Sequence, residues 1–347
     1  MGEMTASNAT AERNAASIAA NVFSIAKIML WINSGCNARC KSCDIWREKP
    51  GHSLTASQIR GWLPEWQELG LKTVVVCGEP LLHPKLWEIV AAIRDGGITV
   101  ELLTNGFLLD RHATQVTQYI KELRVSLDGP EEIHNLMRGR RNAFEKLQDG
   151  IQAVRAIEPG FRIDGRCHIH HQNFRLMRET IKDAKRIGLS GLSFSGTDFS
   201  NAEAFRRADT INDEYSRLFN ISGDALVELQ QVLETLVEKH SDDFRSRFLT
   251  DSPEKLKHLI LDYYRDLNGG ARRHIKCNSP WTSAVIEYDG TVRPCFPMPA
   301  YGKIGDMGTL KQTLNSQCAC ESRVALDVTT NETCRRCVDQ TLNLFSK

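Results

Sequence analysis

A parallel α/β sheet rolled into a partial (β/α)6 barrel is the fold class this sequence predicts, and three observations predict it. Short apolar runs alternate with stretches of helical period from residue 28 onward. Six such runs fall between residues 28 and 197, too few to close an eight-stranded barrel. A cysteine-rich segment with a β-hairpin pattern then occupies the C-terminal end.

The first run, IMLWIN, leads directly into CNARCKSC at residues 36–43. TVVVC leads into GEP, ITVELLT into NG, and LRVSL into DGP; FRIDGRCHIHH and GLSFSG complete the six. Helical period shows in HPKLWEIVAAIRDGG and RNAFEKLQDGIQAVRAI between them. Parallel α/β folds gather ligands at the C-terminal ends of their strands, so the motifs that follow a strand share one rim. The organisation expected is an N-terminal arm at 1–26, the barrel at 27–198, a charged helical segment at 199–275, and a small C-terminal unit at 276–347. The charged segment reads as a crossover rather than a substrate lid.

Lysine and arginine number 44 against 43 acids, which gives no electrostatic footprint for nucleic acid or an anionic membrane. No window approaches the ~18 apolar residues of a membrane span, and the N-terminus lacks an export signal, so a cytoplasmic location is expected. Eleven cysteines in that compartment point to metal or catalytic use rather than disulfides.

Cys36, Cys40 and Cys43 suit iron–sulfur or zinc ligation, but three thiolates do not complete a four-ligand site. Zinc would need a fourth donor, and His52 is the near candidate. Otherwise one metal position stays open. C36-x3-C40-x2-C43, together with CGEPLLHP and SLDGPEEIHNLMRG, resembles the radical S-adenosylmethionine enzymes, whose barrel is TIM-like, and the resemblance runs from about residue 28. It implies that the three cysteines hold a [4Fe–4S] cluster and that S-adenosylmethionine takes the open iron. Reductive cleavage then yields a 5'-deoxyadenosyl radical that abstracts hydrogen from a substrate carbon.

The same resemblance places Gly78, Glu79 and Pro80 at the methionine amino group. It places Thr104, Asn105, Ser126 and Asp128 against the ribose and methionine, although these residues also suit ordinary turns. Cys77 departs from the family pattern, where glycine is usual, and reads either as a hydrogen-atom donor or as a tolerated small residue. Ser42 replaces an aromatic residue common before the third cysteine.

The fifth run alternates: Phe161, Ile163, Gly165, Cys167 and Ile169 share one face, and Arg162, Asp164, Arg166, His168 and His170 the other. The polar face is expected to point into the barrel. Arg166 and His168 are the preferred groups for the cofactor carboxylate or a polar substrate, His168 or His170 for a general base, and Arg162 with Asp164 for a structural ion pair. Cys167 reads as core.

Cys277 and Cys295 flank a hairpin pattern with Asp-Gly at its turn, and Cys334-Arg-Arg-Cys337 follows. Together they make a four-thiolate set for zinc or an iron–sulfur cluster. The arrangement resembles the shortened "twitch" form of the SPASM domain, which implies one auxiliary [4Fe–4S] cluster; Cys318 or Cys320 is an alternative ligand. The two resemblances imply dehydrogenation of a polar small molecule such as a sugar or aminocyclitol. The auxiliary cluster is then the electron acceptor, and a flavodoxin- or ferredoxin-type protein the donor. Maturation of a ribosomal peptide, epimerisation using Cys77, and a non-enzymatic metal-site protein for interaction or redox sensing are the alternatives.

Overall fold

The computed structural model describes residues 21–202 and 205–339; most of the expected N-terminal arm, residues 1–20, lies outside the described residues. The six expected strands are β1 (Lys27–Trp31), β2 (Thr73–Cys77), β3 (Thr99–Thr104), β4 (Glu122–Ser126), β5 (Ile163–Ile169) and β6 (Gly191–Gly196). Each is parallel to its neighbour, in the order β6-β5-β4-β3-β2-β1. The connecting helices are α1 (Ala56–Glu68), α2 (Leu86–Asp95), α3 (Leu109–Tyr119), α4 (Glu131–Arg138), α5 (Ala143–Ile157) and α6 (Met177–Arg186). Thr55 and Gln58 start α1 with a reciprocal capping box, which satisfies two N–H groups the helix itself leaves open.

Alternation sorts each strand into two faces. Ile28, Leu30, Val74, Val76, Val100, Leu102, Leu123, Val125, Ile163 and Cys167 are buried in the core. Lys27, Glu101 and Arg124 stand on the opposite face, where Glu101 sits 3.4 Å from Lys27 and 3.7 Å from Arg124. A buried carboxylate between two cations is tolerated because its charge is met on both sides.

The C-terminal hairpin forms as its pattern predicts: β7 (Ser283–Ile286) pairs antiparallel with β8 (Thr291–Arg293), and Gly290 takes φ +86° in the turn. Its placement has no local sequence signal. β7 lies parallel on β1, from Lys27↔Ser283 to Leu30↔Ile286, and β9 (Gly302–Lys303) ends a continuous nine-stranded sheet. The C-terminal unit therefore extends the barrel sheet. Residues 199–275 contain α7 (Asp213–Phe219), α8 (Asp224–Lys239) and shorter helices, and Leu249 bridges Leu192 to cover the β6 edge. Among the described residues no helix is long and apolar enough to cross a membrane.

Candidate active site between two cysteine sets

The loop after β1 is strapped to the end of α4. The N–H groups of Arg39 and Lys41 donate to the carbonyls of Arg138 and Met137 at 3.0 and 2.9 Å. Gly139 makes this approach possible: its φ is +62°, and a Cβ there would lie 2.3 Å from the Arg39 carbonyl oxygen. Cys36, Cys40 and Cys43 consequently line one side of a cavity of about 240 Å³. Burial pushes the Cys36 and Cys43 thiols up to about 12 and raises Cys40 as well, so binding a metal here must displace protons.

Donors already point at two of these sulfurs. Cys36 Sγ accepts from the Ala38 N–H at 3.4 Å, with Asn105 Nδ2 at 3.7 Å. Cys40 Sγ accepts from Arg138 Nη1 at 3.5 Å. Arg138 also grips Asp128 twice, Nε to Oδ2 at 2.7 Å and Nη2 to Oδ1 at 3.0 Å, so its charge is balanced locally. His134, fully buried and driven well below its usual range by burial, accepts the Asp128 N–H at 3.1 Å and fixes that turn.

The strand-end motifs converge as the sequence predicts. Glu79 is 1% exposed; its Oε1 accepts from Thr104 Oγ1 at 2.7 Å and its Oε2 from the Asn105 N–H at 2.8 Å. Burial pushes its carboxyl up to about 7 against those two bonds. Gly78 has φ +88°, and a Cβ would meet Trp31 Cδ1 at 2.5 Å. Pro80 opens the short turn after Glu79 and is buried outside the cavity lining. Ser126 and Asp128 line the same cavity. Cys77 does too, as a neutral thiol pushed up to about 12 by burial.

The alternation of β5 holds, but its depth differs from expectation. His168 lines the cavity, and its Nδ1 lies 3.1 Å from Ser195 Oγ and 3.3 Å from the Gly196 carbonyl. A carbonyl partner requires Nδ1–H, which leaves Nε2 as the acceptor. Burial, helped by Arg166, pushes the imidazole down to about 3. Arg166 does not reach this cavity; it sits two residues earlier on β5, is paired with Asp339, and lines a second cavity instead. Its expected role at the cofactor carboxylate is corrected accordingly. His170 is also displaced. β5 ends at Ile169, Asn173 Oδ1 accepts the His170 N–H at 2.8 Å to turn the chain, and the ring packs on Phe219 at 5.4 Å, away from the cavity. Arg162, just before β5, and Asp164 form the expected ion pair at 2.9 Å.

The second cavity, about 350 Å³, is lined by Cys277, Cys295, Cys334 and Cys337. Burial raises the Cys295 thiol well above its usual range, and the other three cysteines add to that rise, so the four lie within electrostatic reach of one another. The Asp339 N–H donates to Cys337 Sγ at 3.3 Å. Cys320 is committed elsewhere, to Asn21 Oδ1 at 3.2 Å and to Arg323, while Cys318 is exposed; neither lines this cavity.

The two cavities share Cys337, Asp339, Phe296 and Pro297 in their walls. Four further side chains were not legible as site residues: Phe205, Arg206, Asp198 and Arg138 all line the first cavity. The 205–207 stretch crosses the cysteine loop, with the Asp44 N–H donating to the Phe205 carbonyl at 2.7 Å and Asp44 Oδ2 accepting from the Arg207 N–H at 3.0 Å. Arg138 carried one signal, a cation in a helix's last turn just before a glycine.

Comparison with known proteins agrees with this anatomy. The radical SAM superfamily model matches residues 32–184, and the SPASM iron–sulfur cluster-binding domain model matches 277–338. The chain is a radical SAM protein with a C-terminal SPASM domain. Radical SAM domains bind S-adenosylmethionine and a [4Fe–4S] cluster, and SPASM domains bind auxiliary clusters.

Its relatives include an AdoMet-dependent heme synthase of Methanosarcina barkeri (strain Fusaro / DSM 804), 29% identical over 47% of this chain and 48% of that protein. The subtilosin biosynthesis protein AlbA of Bacillus subtilis (strain 168) is 22% identical over 78% of this chain and 55% of that one. The chain thus spans about half the length of these curated relatives. In fold it resembles Streptococcus suis SuiB bound to precursor peptide SuiA, at 13% identity and TM-score 0.66 over 94% of this chain and 74% of that one. It also resembles anSMEcpe with bound AdoMet and a Cp18Cys peptide, at 19% identity and TM-score 0.62 over 90% and 88%.

The donor set fits the implied groups. Cys36, Cys40 and Cys43 line the first cavity and Cys277, Cys295, Cys334 and Cys337 the second, and thiolates are the ligands that iron–sulfur clusters take.

Proposed function

We propose that this radical SAM protein carries out an oxidative reaction, removing hydrogen from a polar substrate held between two iron–sulfur clusters. One observation carries the reading: the wall of a single cavity holds Cys36, Cys40 and Cys43 as well as Cys337 of the second cysteine set. When bound, the cofactors supply reductive sulfonium cleavage, hydrogen-atom abstraction from a substrate carbon, and a one-electron acceptor.

The chain's own groups do the rest. Glu79, Thr104 and Asn105 form a preorganised polar corner for the cofactor's methionine end, bonded together before any ligand arrives. Asp128 and Arg138 hold the neighbouring turn. For an alcohol substrate, oxidation to a carbonyl releases one hydrogen atom, one proton and one electron. His168 lines the cavity wall and, kept neutral by burial and by Arg166, offers Nε2 as hydrogen-bond acceptor to the substrate hydroxyl. With its basicity lowered, it takes the proton only as the electron leaves and the carbonyl forms. Phe205 and Phe296, 4.4 Å apart, close the apolar side and exclude water.

A sugar or aminocyclitol suits the polar lining around Thr197, Asp198 and Arg206. A peptide side chain is the second reading, because similarity to AlbA extends over 78% of this chain. Anaerobically reconstituted protein, given S-adenosylmethionine and dithionite, is expected to form 5'-deoxyadenosine, and the Cys36→Ala/Cys40→Ala/Cys43→Ala variant to form none. Equal formation by both would remove the reading. Deuterium transfer from labelled alcohols or labelled peptides into 5'-deoxyadenosine then decides between the two substrate classes.

A further inference from the structure

Arg273 stands out among the charged groups near the second cysteine set. It is 4% exposed, and its Nη2 donates to the carbonyl oxygens of Arg335 at 2.5 Å and Cys337 at 3.1 Å. Its Nε and Nη1 are buried and have no hydrogen-bond partner among the described residues. The face of Tyr263 lies 4.8 Å from the guanidinium carbon, and that contact satisfies a cation without satisfying in-plane N–H donors.

The neighbouring cations are already balanced. Arg166 pairs with Asp339, and Arg335 pairs with Asp266. Asp266 Oδ2 is also engaged by the Arg273 backbone N–H at 3.2 Å rather than by its guanidinium. Burial lowers Arg273 overall, while Tyr263, Asp266, Cys337 and Asp262, in that order, favour its charge. A buried guanidinium with two orphaned donors is costly unless an acceptor completes it. Of the second cysteine set, Cys337 interacts electrostatically with the guanidinium, and a cluster held there would bring sulfur acceptors to that side.

We propose that Arg273 is a positioning and charge-stabilising residue for the auxiliary cluster, its buried and incompletely hydrogen-bonded guanidinium beside Cys337 holding that cluster's reduction potential up so that it accepts electrons. Each added electron makes a thiolate-ligated cluster more negative, and a buried cation stabilises the reduced form more than the oxidised one. The inference rests on the proposed four-cysteine cluster and goes beyond it by assigning the direction of electron flow to one side chain.

The test is an EPR-monitored redox titration of the reconstituted holoprotein alongside Arg273→Met and Arg273→Lys, each checked for iron content. Arg273→Met is expected to move the auxiliary midpoint to more negative potential, Arg273→Lys to restore much of the wild-type value, and both to leave the Cys36/Cys40/Cys43 cluster unmoved. No shift in Arg273→Met, or equal shifts in both variants, would overturn the proposal. If the variants lose the auxiliary cluster, wild-type protein carrying arginine labelled with 15N only in the guanidino group decides. Because Arg124 and Arg166 line the same cavity, pulsed EPR of the reduced auxiliary cluster is run on labelled wild-type protein and on labelled Arg124→Lys/Arg166→Lys protein. Both should show coupling to that nitrogen, and absence of coupling, or its loss in the double variant, would overturn the proposal. A wild-type protein that holds only one cluster's iron would sink the four-cysteine reading itself, an outcome distinct from either.

Discussion

The two cysteine sets reach one cavity by opposite routes. Cys36, Cys40 and Cys43 lie within eight residues on a single loop, fixed by two backbone hydrogen bonds to α4 and a glycine. Cys277, Cys295, Cys334 and Cys337 come from three stretches of chain, brought together by β7 docking on β1 and by Arg273 tying the 335–337 tail. Their electrostatics differ in parallel. The cation at Cys40 is held by Asp128 through two direct contacts, whereas among the described residues the guanidinium at Cys337 hydrogen-bonds backbone carbonyls and meets Asp266 and Asp262 only at longer range. On the proposed reading, the first set, with three thiolates, leaves one metal position for a ligand, and the second, with four, closes its cluster with protein.

The largest expected effect separates the two sets functionally. Cys337→Ala should remove the auxiliary cluster and abolish substrate oxidation, yet leave 5'-deoxyadenosine formation within a few-fold of wild type, as read by product chromatography. If cleavage disappears together with oxidation, the sets are not independent.

Next in size is the strap. Gly139→Ala forces an alanine into left-handed backbone, costing about 1–2 kcal/mol before the clash with the Arg39 carbonyl is counted. It should lower iron occupancy at the triad while sparing the auxiliary set, a contrast visible in the two EPR signals. Equal loss at both sites would show that the strap serves the whole fold.

The smallest effect is pH-dependent. His170 is pushed from 6.5 to about 3 by burial. The unfolded chain therefore binds more protons than the folded one between those values. Its contribution is fully present above about 6.5 and is lost as the pH falls through the window toward 3. His170→Phe should flatten the decline in thermal midpoint between pH 7 and pH 5 by up to one proton's worth of slope. An unchanged slope would mean that the buried ring does not titrate in this way.

The same contrast explains what was legible in the sequence. Strand-and-helix alternation, the triad and the strand-end motifs are encoded within short windows, and the structure keeps each where the pattern put it. The parity of β5 was also readable, because side chains alternate strictly along a strand. Its depth was not: the strand stops at Ile169, so His170 turns onto Phe219 and Arg166 falls to the auxiliary side. The pairing of β7 on β1 and the passage of Phe205 and Arg206 over the cysteine loop depend on contacts between segments more than 150 residues apart. No local period announces such contacts.

The central claim is that one cavity is served by two separately held clusters, and an anaerobic iron and acid-labile sulfide count tests it most directly. Two [4Fe–4S] clusters require about eight iron and eight sulfide per chain in the wild type. About four of each should remain when Cys36, Cys40 and Cys43 are changed to alanine, and about four again when Cys277, Cys295, Cys334 and Cys337 are changed instead. About four in the wild type, or zinc in place of iron at the second set, would contradict the account.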